Sequence, residues 1–73
     1  MKAFDPNRKL QYSQEELIAL HKQAETSSRL LLTSLDLPGA HAQINTMEQI
    51  RARFSQDHHI AFPQNHLTTF RQN

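Results

Sequence analysis

The chain is short, nearly neutral and free of cysteine. It has 73 residues, a net charge of +1 with neutral histidines, 37% hydrophobic residues and no Cys or Trp. These values exclude a disulfide scaffold, a thiolate metal site and a cysteine nucleophile, and no apolar run approaches the roughly 20 residues of a membrane-spanning helix. We therefore expect one small domain, and, because residues 1–6 do not resemble a secretory signal, a cytoplasmic protein.

The first segment, residues 1–12, is interpreted as an N-terminal arm that precedes a single small helical domain over residues 13–73. A Pro-Asn pair at 6–7 favours a turn within this arm. The arm also holds apolar side chains that dock either on the core of the same chain or on a partner protein, with disorder as a third alternative: Phe4, Leu10 and Tyr12.

A long first helix is predicted over residues 14–35. Ser13 followed three residues later by Glu16 has the spacing of a capping box. One stripe at helical spacing then carries the apolar residues Leu17, Leu20, Ala24, Leu31 and Leu35. The pair Pro38 and Gly39 predicts a type II turn that ends this helix.

A second helix is predicted from residue 45 or 46 to about residue 57. Asn45 and Glu48 repeat the capping spacing. The apolar stripe of this helix consists of Met47, Ile50 and Phe54. Residues 64–71 predict a short third helix after a proline. The fold class is therefore mostly α, and weak alternation at 40–44 and 59–62 leaves open a minor two-stranded β pairing.

Enzymatic chemistry is not indicated by any motif in the sequence. A chain of this length offers little room for a ligand pocket of about 300–1,000 Å³. The five histidines have no zinc-binding spacing and no cysteine to complete a structural site; they are His21, His41, His58, His59 and His66. We therefore expect a non-enzymatic protein that uses no cofactor and no metal.

A helix-turn-helix over residues 47–71 is the alternative functional interpretation, in which the chain is a small DNA-binding repressor. Its recognition helix would present side chains that bond base edges and phosphates: Gln64, Asn65, Thr68, Thr69 and Arg71. The connection at 58–63 is longer than the usual turn of about 3–4 residues in this motif. The pI of 8.3 is also lower than the pI above about 9 that is typical of nucleic-acid-binding domains.

Regulation by protein binding is the leading hypothesis. Amphipathic helices without a pocket suit a protein that covers a surface on a larger partner, and a homodimer is left open. Arg and aromatic residues are enriched at such interfaces, although each of them also has an ordinary role in the core or on a solvated face. The candidate protein-binding residues are Phe4, Arg8, Lys9, Tyr12, Arg51, Arg53, Phe62 and Phe70.

The small size, the lack of Cys, the helical layout and the charged arm resemble a known class of proteins. The arm sequence in question is Arg8, Lys9, Leu10, Gln11 and Tyr12. With these features the chain is similar to small phage-encoded regulators that bind bacterial RNA polymerase. The resemblance implies a protein that inhibits or redirects transcription in the host cytoplasm, for example by competing with a sigma subunit, and it assigns no individual site residue.

Overall fold

Two α-helices packed side by side form the body of the molecule. The computed structural model describes residues 3–66, in which α1 spans Gln14–Thr33 and α2 spans Leu37–His58. A 3-10 turn at Gln64–His66 follows. The described residues contain no strand, and the mostly α prediction is confirmed as a helical hairpin. Neither α1 nor α2 has a stretch long and apolar enough to cross a bilayer.

The core is built from one apolar stripe on each helix and two side chains from outside the helices. Leu17 and Leu20 of α1 pack with Ile50 and Phe54 of α2. Two helices alone leave part of such stripes in contact with water. Tyr12 from the arm and Phe62 from the segment after α2 complete the cluster. The hairpin therefore depends on the non-helical segments before and after it.

The predicted start of α1 is confirmed by its cap. The Ser13 hydroxyl accepts a hydrogen bond from the backbone N–H of Glu16 at 3.0 Å, which satisfies one of the free donors of the first turn. Glu15 and Glu16 lie at the positive end of the helix dipole. The helix ends at Thr33, slightly before the predicted end, because the chain turns into a left-handed conformation at Leu35.

The predicted start of α2 at residue 45 or 46 is wrong. The helix begins at Leu37 because the Asp36 carboxylate caps it, accepting from the backbone N–H of Gly39 at 3.1 Å. Pro38 lies in the first turn, where its missing N–H has no intrahelical partner to lose. The predicted type II turn at Pro38 and Gly39 is also wrong, because Gly39 does not have the positive φ that this turn requires.

The two-stranded pairing is likewise wrong, because residues 40–44 lie inside α2. Thr46, predicted near the start of the helix, is an interior position whose hydroxyl donates to the Ala42 carbonyl at 3.1 Å. The predicted third helix begins as a 3-10 turn at Gln64–His66 rather than as α-helix, and residues 67–71 lie outside the described part of the chain. The prediction that α2 ends near residue 57 is confirmed, since it ends at His58.

Candidate functional site

The arm is fixed to the end of α2 by a buried ion pair, Arg53 and Asp57. Their side chains are each 8% exposed and the Arg53 Nε lies 2.9 Å from the Asp57 carboxylate. The same carboxylate oxygen accepts from the backbone N–H of Tyr12 at 2.9 Å. The Arg53 guanidinium also donates to the carbonyls of Arg8 and Leu10, at 2.6 and 3.0 Å. One turn of α2 thus binds the main chain of the arm at three residues.

The Tyr12 ring is the centre of the arm. It stacks on Phe4 with ring centroids 5.5 Å apart, and the guanidinium of Arg8 lies 4.0 Å from its centroid. His58 Nε2 donates to the Tyr12 carbonyl at 2.7 Å, so this nitrogen carries the hydrogen, since a carbonyl only accepts. Tyr12 itself is 3% exposed. These contacts give the aromatic and cationic residues of the arm a role inside the fold.

The pKa of Asp57 is clearly shifted by its surroundings. Burial of the carboxyl opposes ionisation and by itself raises the pKa. The hydrogen bonds from Tyr12 and Arg53, together with the positive charges of Arg53 and His58, outweigh burial and hold the pKa of Asp57 below the usual value of an aspartate. The arm is therefore attached through the ionised form of this side chain.

A second polar contact joins the helices on the side covered by Phe62. His21 is 1% exposed, and its ring lies 4.6 Å from the Phe62 ring between centroids. Arg51 Nη1 lies 3.0 Å from His21 Nε2. A guanidinium only donates, so Nε2 accepts and this histidine is neutral, with its hydrogen on Nδ1. Arg51 and Phe62 are accordingly positioned by the fold of this chain.

The structure does not bring the sequence-predicted residues together as one exposed surface. Tyr12, Arg53 and Phe62 are buried, whereas Lys9 is exposed. The partly buried members of the set are Phe4, Arg8 and Arg51. Phe70 lies outside the described residues, as do three of the predicted DNA-binding residues, Thr68, Thr69 and Arg71. The other two, Gln64 and Asn65, are exposed within the 3-10 turn, and the DNA-binding interpretation stays a prediction.

Three of the five exposed large apolar side chains among the described residues lie at the tip of the hairpin, a surface that the sequence analysis does not predict. Leu30 is 65% exposed, Leu35 82% and Leu37 53%; we call these three residues the leucine tip. Leu31 and Leu32 beside them are only partly buried. Five leucines within residues 30–37 are the signal that points to this surface. The sequence analysis assigns two of them, Leu31 and Leu35, to the buried stripe of the first helix.

The backbone of the leucine tip is a helix C-cap of the Schellman type. The N–H of Asp36 donates to the Leu31 carbonyl at 2.8 Å, and the N–H of Leu35 donates to the Leu32 carbonyl at 3.0 Å. This motif places one residue in the left-handed region, and that residue is usually Gly, sometimes Asn. Here it is Leu35, with φ 60°. A large apolar side chain thus occupies a strained position and points into solvent.

No group of three His, Asp or Glu side chains within the described part of the chain is arranged to hold a metal ion. Surface depressions of the described residues include one between the arm and the helices, lined by Phe4, Leu20 and Ala24, and one along α1, lined by Ala19, Lys22 and Thr26. No protein-family model, no curated protein and no solved structure matches the chain.

Proposed function

We propose that this chain is a small non-enzymatic regulatory protein that binds a protein partner through the leucine tip. The observation that carries the proposal is Leu35, which combines a left-handed backbone with 82% exposure. Strained backbone positions of this kind cluster at functional sites; the other such residue in the described chain, His59, ends α2. Leu35 is not part of the hydrophobic cluster that the described residues form.

The energetics of Leu35 argue for a role in recognition. A non-glycine residue in the left-handed region loses about 1–2 kcal/mol, and a Gly at this position relieves that strain. An exposed leucine gains nothing from burial in the free protein. The side chain becomes favourable when a partner removes it from water, at about 25 cal/mol for each Å² of apolar surface covered.

The composition of the tip suits a protein interface. Residues 30–37 contain a single charged side chain, Asp36, among five leucines, and the cores of protein interfaces are depleted in charge. Exposed leucines that are clustered rather than scattered are typical of interaction sites. The backbone of the tip is fixed by the helix cap. Binding therefore costs less conformational entropy than binding by a flexible loop.

Bacterial RNA polymerase is the partner that we propose first, following the resemblance to small phage-encoded regulators. Binding there would inhibit or redirect transcription in the cytoplasm by occupying a site used by another factor. The leucine tip would insert into an apolar groove on that surface. The arm, one of the features that carry the resemblance, is in this proposal a structural segment that completes the core.

Affinity purification with matched leucine variants tests the proposal. Tagged wild type, Leu35→Gly and Leu10→Asn are each purified from a bacterial lysate treated with nuclease, and bound proteins are quantified by mass spectrometry. Leu10 is the control, because it is 75% exposed but lies in the arm. Circular dichroism of each variant checks that the hairpin is intact.

The expected result is a partner that is retained by Leu10→Asn and lost with Leu35→Gly, although the glycine variant is folded. RNA polymerase subunits among the retained proteins support the transcription proposal. Recovery of a different defined complex would replace RNA polymerase as the proposed partner and would still support binding through the leucine tip. Equal recovery with wild type and Leu35→Gly would show that the leucine tip is not the binding surface.

A further inference from the structure

We infer that the leucine tip recognises a protein surface on which two apolar pockets flank a Lys or Arg side chain. This inference rests on the proposed function and names the chemistry of the partner. Its basis is the order of side chains at the tip, where Asp36 stands between the exposed Leu35 and Leu37. The tip therefore presents an apolar, an anionic and an apolar group in three consecutive residues.

Asp36 has the means to form such a contact while still capping α2. Its Oδ1 accepts from the Gly39 N–H at 3.1 Å. Both carboxylate oxygens lie beside Gly39, and the residue as a whole is exposed. The cap thus fixes the orientation of the carboxylate, and its exposure lets a cation of the partner approach it. A carboxylate that is already oriented loses less side-chain entropy when it binds a cation than a freely rotating carboxylate does.

The charge of the tip selects the partner class. Asp36 is the only charged residue within 30–37, and the nearest cation in sequence, Arg29, is already paired with Glu25 at 3.4 Å. The tip is therefore locally acidic and apolar. Phosphate backbones and anionic lipid surfaces repel such a patch, whereas a basic, apolar peptide or groove complements it. The occupant is a protein surface of that composition.

The test uses a random peptide library displayed on phage and selected against the full-length chain. One enriched peptide is synthesised, and its Kd is measured for wild type, Asp36→Asn and Leu35→Asn at 50 and 300 mM salt. Asn is as good an N-cap as Asp, so Asp36→Asn removes the charge and keeps the cap. Asn is also tolerated in the left-handed region, so Leu35→Asn keeps the turn.

We expect enriched peptides to carry Lys or Arg between apolar residues. Asp36→Asn should bind about 1.5-fold to 5-fold more weakly than wild type, and its binding should depend less on salt. Leu35→Asn should abolish measurable binding, because it removes an apolar contact at the centre of the patch.

The outcomes separate this inference from the proposed function. Peptides that need Leu35 but lack a cation, or bind Asp36→Asn as tightly as wild type, overturn the inference and leave tip binding in place. Failure to enrich any peptide that depends on Leu35 counts against both. A dimer of the chain that Leu35→Asn dissociates in sedimentation also overturns the inference, because the occupant is then a second copy.

Discussion

Replacement of Asp57 by Ala tests how the arm is held to the hairpin. In the native chain the Asp57 carboxylate contacts Arg53 Nε and the Tyr12 N–H, each at 2.9 Å. Asp57→Ala removes both contacts and leaves the guanidinium of Arg53, a residue that is 7% exposed, without its counter-charge. Alanine itself is a good helix former, so the effect is not one of helix propensity.

The magnitude follows from the burial of this ion pair. Removing one partner of a buried pair typically costs about 3–5 kcal/mol. Arg53 keeps two carbonyl acceptors, Arg8 and Leu10, which places the expected loss at the lower end, about 3 kcal/mol. For a chain of this size that corresponds to a fall in Tm of about 12–24 °C. It is a large part of a total stability of about 4–11 kcal/mol.

Urea unfolding followed by circular dichroism and by tyrosine fluorescence measures this loss. Tyr12 is the only tyrosine and the chain has no Trp, so fluorescence reports on the arm while circular dichroism reports on the helices. Glu16→Gln is the matched control: its ion pair with Arg8 has side chains 30% exposed, and such pairs contribute about 0.2–1 kcal/mol. If Asp57→Ala loses less than about 1 kcal/mol, like the control, the reasoning about the buried pair is refuted.

Three further predictions concern pH and the two caps. Because the pKa of Asp57 is lower in the folded chain than in the unfolded chain, the stabilisation from its carboxylate should be complete above the usual aspartate pKa of about 3.9. This stabilisation should fall as the pH is lowered below that value. Urea titrations at several pH values should show the loss in the wild type and not in Asp57→Ala. Leu35→Gly should raise the free energy of unfolding by about 0.5–1 kcal/mol, which is the relieved backbone strain minus the entropic cost of glycine. Urea unfolding measures this change, and a destabilised variant would show that Leu35 is not strained. Asp36→Ala should lose about 1 kcal/mol and Asp36→Asn almost none; equal losses in thermal melts would show that the cap is not the cause.

The helical class and the first cap could be predicted from sequence because the signals are local. Ser13 and Glu16 lie within one turn, and the stripe from Leu17 onward repeats at helical spacing. The start of α2 could not be predicted, because the Pro38 and Gly39 pair suits both a turn and a first helical turn. The Asp36 carboxylate decides between them by binding the Gly39 N–H.

The leucine tip and the contacts of the arm could not be predicted from the sequence for a different reason. Leu35 matches the stripe of a helix that, in the structure, has already ended at Thr33, and a shift of two residues turns a predicted core leucine into an exposed one. Arg and Tyr are frequent at interfaces, but in this chain Arg53 and Tyr12 make long-range contacts within the fold. Contacts between residues 45 positions apart leave no periodicity in the sequence.

The central claim is that the leucine tip, rather than the arm, meets the partner. The most direct measurement places a photoreactive amino acid at position 35 or at position 10, irradiates intact cells, and identifies cross-linked proteins. Both positions are exposed leucines, at 82% and 75%. We expect one defined adduct from position 35 and none from position 10. An adduct formed from position 10 alone would contradict it and return the binding surface to the arm.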